Sequence, residues 1–131
     1  MNVEQLKQDI IEYAKEIGID KIGFTTANPF TTLKERLIKQ QQLNYQSGFE
    51  EPDIDKRTNP ALLLEGAASI ISIAVAYPTR MKENPKGKKG ARRGLFARAS
   101  WGEDYHTVLR NRLQKLEEFI KSKIPEARTK S

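Results

Sequence analysis

The sequence predicts an α+β domain with α/β-like alternation, a small sheet flanked by helices. Three observations support this. Apolar residues recur at helical spacing near both ends and again between residues 32 and 43. Two short stretches rich in Ile, Val and Phe fit strands, and helices and strands alternate along the chain. The length of 131 residues suits one domain with a modest core.

Val3, Leu6, Ile10, Ala14 and Ile17 form the first helical stripe, widened by Ile11 and Tyr13. Gly18 is its expected stop. Residues 19–26 read as a strand with Ile22 and Phe24 on one face. Thr32 and Glu35 read as a capping box for a second helix carrying Leu33, Leu37, Ile38 and Leu43. Residues 45–59 read as irregular. Asn59-Pro60 suits an N-cap and first-turn proline for a short helix through Leu64. Residues 69–77 read as a buried central strand ended by Pro78. Residues 95–100 read as a brief extended segment. The last helix is expected over 103–123, with Tyr105, Val108, Leu109, Leu113, Leu116 and Ile120 as its stripe and Pro125 beyond its end. Glu103 and Asp104 sit at its positive end.

Composition narrows the chemistry. There is no cysteine, which excludes disulfides, thiolate metal sites, protein-ligated iron–sulfur clusters and cysteine nucleophiles within these residues. A single His excludes a multi-histidine metal site. No apolar run is long enough to span a bilayer, and the N-terminus lacks signal-peptide character, so a cytoplasmic protein without membrane contact is expected. The tail 127–131 reads as a connection onward, which marks the chain as an N-terminal portion.

Charge is concentrated. Between Arg80 and Arg98 eight cations stand against Glu83 alone, a net of +7 in a chain whose total is +6. Such a segment suits a polyanion, and Lys88, Lys89, Arg92 and Arg93 are its candidate phosphate contacts. On charge alone, a solvated loop is an equal reading. Gly87, Gly90 and Gly94 match neither a P-loop nor a dinucleotide fingerprint. The lone Trp and lone His follow, in Trp101-Gly102-Glu103-Asp104-Tyr105-His106. His106 reads as a general acid or base, or as a surface histidine bonded to the adjacent loop. Trp101 and Tyr105, four apart, read as a pair that together could stack on a flat ligand or a base, or as core packing, the commoner role. Asp53, Asp55 and Glu50-Glu51 read as loop acids more readily than as metal ligands. Arg57 could pair with Asp53 or Asp55, or reach an anionic ligand.

Read together, several segments resemble the N-terminal part of the epoxyqueuosine reductases. These are Tyr13-Ala14-Lys15, Ile22-Gly23-Phe24, Ser47-Gly48-Phe49, Lys56-Arg57 with Pro60 and Leu62-Leu63-Leu64, Ser69-Ile70, Ala76-Tyr77-Pro78, and Arg98 with residues 101–106. They occur in order over nearly the whole chain, and Asp104-Tyr105-His106 is the most specific. The resemblance implies a fold similar to the cobalamin-binding domain of reductive dehalogenases, with residues 1–131 its N-terminal part. It implies cobalamin, [4Fe–4S] clusters in a ferredoxin-like module that this chain lacks, and reduction of epoxyqueuosine to queuosine in a tRNA anticodon loop. It implies cofactor contacts at Arg57, Ala97 and Arg98, with Trp101, Tyr105 and His106 shaping the pocket wall. Ala97 would act through its backbone. Ala99 stands where many members have Tyr. The family's proton donor is the Asp of a Met-Val-Asp-Thr-Gly stretch expected just beyond Ser131, so no catalytic residue is assigned here. A monomer is expected, inactive as this portion alone. The alternatives are a non-catalytic basic RNA-binding module and a flavin- or other cofactor-binding α+β protein.

Overall fold

The structure is a computed structural model that describes residues 2–78, 82–83, 86–92, 94 and 96–131. Arg80, Arg93 and Leu95, which figured in the sequence reading, lie outside the described residues. The element order is α1 (Val3–Glu16), β1 (Lys21–Thr26), α2 (Thr31–Gln42), α3 (Ile54–Thr58), β2 (Ser69–Ala74) and α4 (Tyr105–Lys123). Short 3-10 turns cover Pro60–Leu62 and Arg98–Ser100. The architecture is the expected α+β type with a small sheet, here of the two strands β1 and β2 among the described residues. Asp20 N–H donates to Ala74 O at 3.0 Å and Ala27 N–H to Ala68 O at 3.1 Å, so the strands run antiparallel.

The chain divides into two compact units. One comprises Met1–Ile22, Ile73–Ala127 and Ser131; the other comprises Gly23–Ser72 and Arg128–Lys130.

In the first unit α1 packs on α4. Asn2 caps α1, its Oδ1 accepting from Glu4 N at 3.1 Å and Gln5 N at 3.4 Å, which the sequence reading overlooked. Ile17 ends the helix and Gly18 follows at φ +80°, as expected of a glycine stop. Ile10, Ala14, Ile19 and Leu116 are buried, and the Tyr13 and Phe119 rings stack at 4.2 Å. Arg112 Nε donates to Gly18 O at 3.0 Å and its Nη1 to Val108 O at 3.2 Å. Its Nε thus meets a carbonyl just past the negative end of α1, and its Nη1 a carbonyl of its own helix. The expected stripe of α4 begins one turn late, because Tyr105 is exposed rather than packed inward.

In the second unit three expectations are corrected. No Thr32–Glu35 capping box forms: α2 starts at Thr31 with Phe30 at the N-cap and no side-chain cap. Phe30 N–H is held by Thr58 O at 2.8 Å, so a long-range backbone bond sets the entry and leaves Thr32 inside the helix. The stretch 45–59 is not wholly irregular, since Asp53 caps the five-residue α3 through Asp55 N at 2.9 Å and Lys56 N at 3.3 Å. The expected Asn59 cap forms, accepting from Ala61 N at 3.2 Å, but its turn ends at Leu62. Thr58 is buried and donates its hydroxyl to Ile54 O at 2.8 Å.

The strand expected over 69–77 stops at Ala74, and none of its residues is fully buried. Its edge is closed instead by Asp20, whose Oδ2 accepts from Ala76 N at 2.7 Å. Pairing with one strand leaves apolar side chains such as Ile70, Ile71 and Ile73 half-covered. The segment before Trp101 forms a 3-10 turn rather than an extended piece.

Candidate functional site

Residues 96–110 gather most of the recognised positions on the first unit. Ala97 is the N-cap of the 3-10 turn at φ −60°, ψ 146°, exposed and without a side-chain cap. Arg98 opens the turn and is also exposed. Trp101 closes it, half-buried, its N–H donating to Arg98 O at 3.1 Å. Gly102 follows at φ +82°, a left-handed conformation that lets the chain reverse into α4.

Asp104 does two things at the start of α4. Its Oδ1 accepts from the His106 backbone N–H at 2.9 Å and lies 2.9 Å from His106 Nδ1. The His106 backbone bond first, then its ring bond, hold the Asp104 carboxyl below its ordinary value of 3.8. An ionised carboxylate can only accept, so Nδ1 carries a hydrogen and Nε2 points away from Asp104. The sequence reading gave Asp104 only the helix-dipole role. The Asp-x-His spacing across a helix N-cap was the available signal for the second.

Tyr105 does not pair with Trp101 across a helix face, because Trp101 precedes the helix. It stacks on His106 instead, centroids 4.1 Å apart and planes 28° apart. Tyr105 is 48% exposed. The His106 side chain is 61% exposed. Of the two readings weighed for Tyr105, core packing is therefore wrong. His106 is exposed and bonded through Nδ1 to Asp104, as a surface histidine at this loop would be, and among the described residues no partner is seen for its Nε2.

The basic residues are displayed to solvent where they are described. Ala91 N–H donates to Lys88 O at 3.0 Å, and Gly90 takes φ +82°, so Lys88 and Lys89 sit on a tight turn. Lys88, Lys89 and Arg92 are exposed.

Arg57 belongs to the second unit, on α3, where it is half-buried. It pairs with neither Asp53 nor Asp55. Asp53 is committed to its cap, and Asp55 forms an ion pair with Lys34 of α2 at 2.5 Å. The Arg57 guanidinium has no ion pair among the described residues. Nearby, Glu50 accepts from Ser47 N at 2.9 Å and from the Ser47 hydroxyl. The Ser47 hydroxyl first, then the backbone N–H groups of Glu50 itself, Ser47 and Gly48, pull its carboxyl down from 4.5 to about 2. A shallow groove in this unit is lined by Pro29, Phe30, Thr31, Thr32, Leu33 and Arg36, and no recognised position lines it. Among the described residues no cluster of three or more His, Asp or Glu could hold a metal ion, and no helix is long and apolar enough to cross a membrane.

The family model for epoxyqueuosine reductase QueG, DUF1730, matches residues 57–131. The epoxyqueuosine reductase of Bacillus anthracis is 67% identical over 131 residues, which is all of this chain and 34% of that protein. The Bacillus subtilis (strain 168) enzyme is 63% identical over the same span, again 34% of its length. A solved Bacillus subtilis structure with its catalytic loop swung out of the active site superimposes with a TM-score of 0.90 at 62% identity, covering 99% of this chain and 35% of that one. A solved epoxyqueuosine reductase with an epoxyqueuosine-modified tRNA-Tyr stem loop gives 0.84 at 63%, covering 93% and 32%. The chain thus spans about a third of the length of the relatives it matches. On a family match over residues 57–131, more than half its length, the chain belongs to the epoxyqueuosine reductase QueG family.

Proposed function

We propose that this chain is the N-terminal portion of an enzyme that reduces epoxyqueuosine to queuosine in the anticodon loop of tRNA. It would form part of a domain akin to the cobalamin-binding domain of reductive dehalogenases. The reading rests on one observation above others: 67% identity to a curated epoxyqueuosine reductase over every residue of the chain.

Cobalamin fits the residues present as a matter of donor chemistry. Its corrin margin carries amides and its tail a phosphate. The half-buried guanidinium of Arg57, which forms no ion pair among the described residues, suits such groups. The exposed Ala97 leaves backbone groups approachable, and Arg98 beside it adds positive charge. The half-buried Trp101 supplies an apolar wall, with Tyr105 and His106 on its rim. When bound, cobalamin supplies a reduced cobalt centre able to give electrons to the epoxide. This chain's residues bind and orient; the proton donor implied by the family resemblance lies outside them. Iron–sulfur clusters do not fit these 131 residues, which contain no cysteine. Lys88, Lys89, Arg92 and Arg93 would position the RNA through its phosphates without reading bases. The enzyme is read as a cytoplasmic monomer.

The test uses the full-length enzyme carrying this segment, reconstituted with cobalamin and a reductant. Mass spectrometry of tRNA nucleosides should show epoxyqueuosine replaced by queuosine, and cobalamin should raise the melting temperature. No conversion and no thermal shift would overturn the reading. The exposed basic turn favours one other reading, a non-catalytic RNA-binding module. It requires tight tRNA binding, no turnover and indifference to cobalamin.

A further inference from the structure

The Tyr105–His106 pair contributes little to the buried core. The two rings stack on each other at the helix start, Tyr105 about half exposed and the His106 side chain mostly so. An aromatic pair that buries so little against the core adds little to stability. Yet it is built with care. Asp104 fixes the helix start and the imidazole orientation with one oxygen, so the platform is held in place before any ligand arrives.

The charge around the platform selects the partner. The segment 80–98 immediately upstream carries a net of +7, and Arg110 follows one turn downstream, close enough to help keep Asp104 ionised. A partner that is a polyanion and also carries flat heterocycles is a nucleic acid. A duplex hides its base faces, whereas an unpaired loop offers them. A flat ring laid on the face of Tyr105 that His106 leaves open matches one unpaired nucleobase.

We propose that the Tyr105–His106 platform receives an unpaired base of the RNA loop by stacking, Tyr105 supplying the ring face and His106 backing it. The proposal rests on the RNA-binding reading above and adds to it a base-contacting position distinct from the phosphate contacts of the basic segment. Tyr105 and His106 act here as positioning residues for the substrate RNA.

The experiment uses the full-length enzyme and an anticodon stem-loop RNA with 2-aminopurine placed at each loop position in turn. Fluorescence anisotropy reads affinity, and quenching of the probe reads stacking. The parent and Tyr105→Phe should bind alike and quench the probe at the same loop position. Tyr105→Ala should bind about five- to a hundredfold more weakly, with that quenching lost and the salt dependence unchanged. Should circular dichroism show that Tyr105→Ala loses helix, Tyr105→Leu keeps bulk without a ring and must show the same loss. Parent-like affinity and quenching in Tyr105→Ala or Tyr105→Leu overturns the proposal. Loss of cobalamin binding with RNA affinity intact also overturns it and assigns the ring to the cofactor. A parent that fails to bind RNA overturns the RNA reading itself, a signature distinct from a parent that binds through variants of no effect.

Discussion

Replacing Lys88, Lys89 and Arg92 with Ala together should change how RNA affinity depends on salt. All three are exposed, and the first two are presented by a hydrogen-bonded turn at Gly90. Each phosphate contact contributes roughly 0.7 to 0.9 to the slope of log affinity against log salt. Three lost contacts should flatten that slope by about 2 to 3. Between 50 and 200 mM salt, the parent should then lose roughly 20- to 40-fold more affinity than the triple variant. The assay is anisotropy of a labelled stem-loop RNA titrated with full-length enzyme at several salt concentrations. Lys15→Ala, an exposed cation on α1, serves as the control and should leave the slope alone. Parallel lines for the parent and the triple variant would refute phosphate contact by this segment, whatever the absolute affinities.

Three further outcomes follow from the packing and the polar contacts. Leu116→Ala should cost about 2–5 kcal/mol in urea unfolding, because Leu116 is 2% exposed and faces one of the few buried clusters; a loss below about 1 kcal/mol would mean that the α1–α4 face is not a core. Gly18→Ala should cost about 1–2 kcal/mol, since φ is +80° and the new Cβ would sit 3.4 Å from Arg112 Nη2; an unchanged melting temperature would count against that backbone conformation. Carboxyl NMR should place Glu50 at about 2, and Ser47→Ala should return it toward 4.5. The folded value is the lower one, so the Ser47–Glu50 contact stabilises fully above about 4.5 and fades as pH falls toward about 2; an ordinary titration in the parent would show that the contact is absent in solution.

The long helices were legible because a stripe repeated over several turns outvotes local noise. Ile10, Ala14 and Leu116 were named in the sequence and are buried. Gly18 and Asn59-Pro60 were legible because each has a backbone reason to sit where it does. The start of α2 was not, since Phe30 is held by Thr58, distant in sequence, and no local pattern encodes that bond. The helix α3 is too short to show periodicity, leaving Asp53 as its only mark. In β2 the Ile-rich composition records a preference for cover, not how much cover these residues supply. At the site, the identities of Tyr105 and His106 were legible and their mutual stacking was not. Arg57 was legible as a choice between partners; Lys34, from another helix, takes Asp55 and removes one of them.

The Arg112 clasp has a dynamic consequence. One guanidinium joins the carbonyl of Gly18, just past the end of α1, to that of Val108, near the start of α4. The Arg112 side chain therefore links the chain reversal after α1 to the second turn of α4. Amide hydrogen exchange should find Ile19, bonded to Ala14 O at 2.9 Å, opening together with the amides around Arg112 as one cooperative unit. Substitution of Arg112 should split that unit, and the platform at Tyr105 and His106 would then be carried by a helix end that breathes on its own.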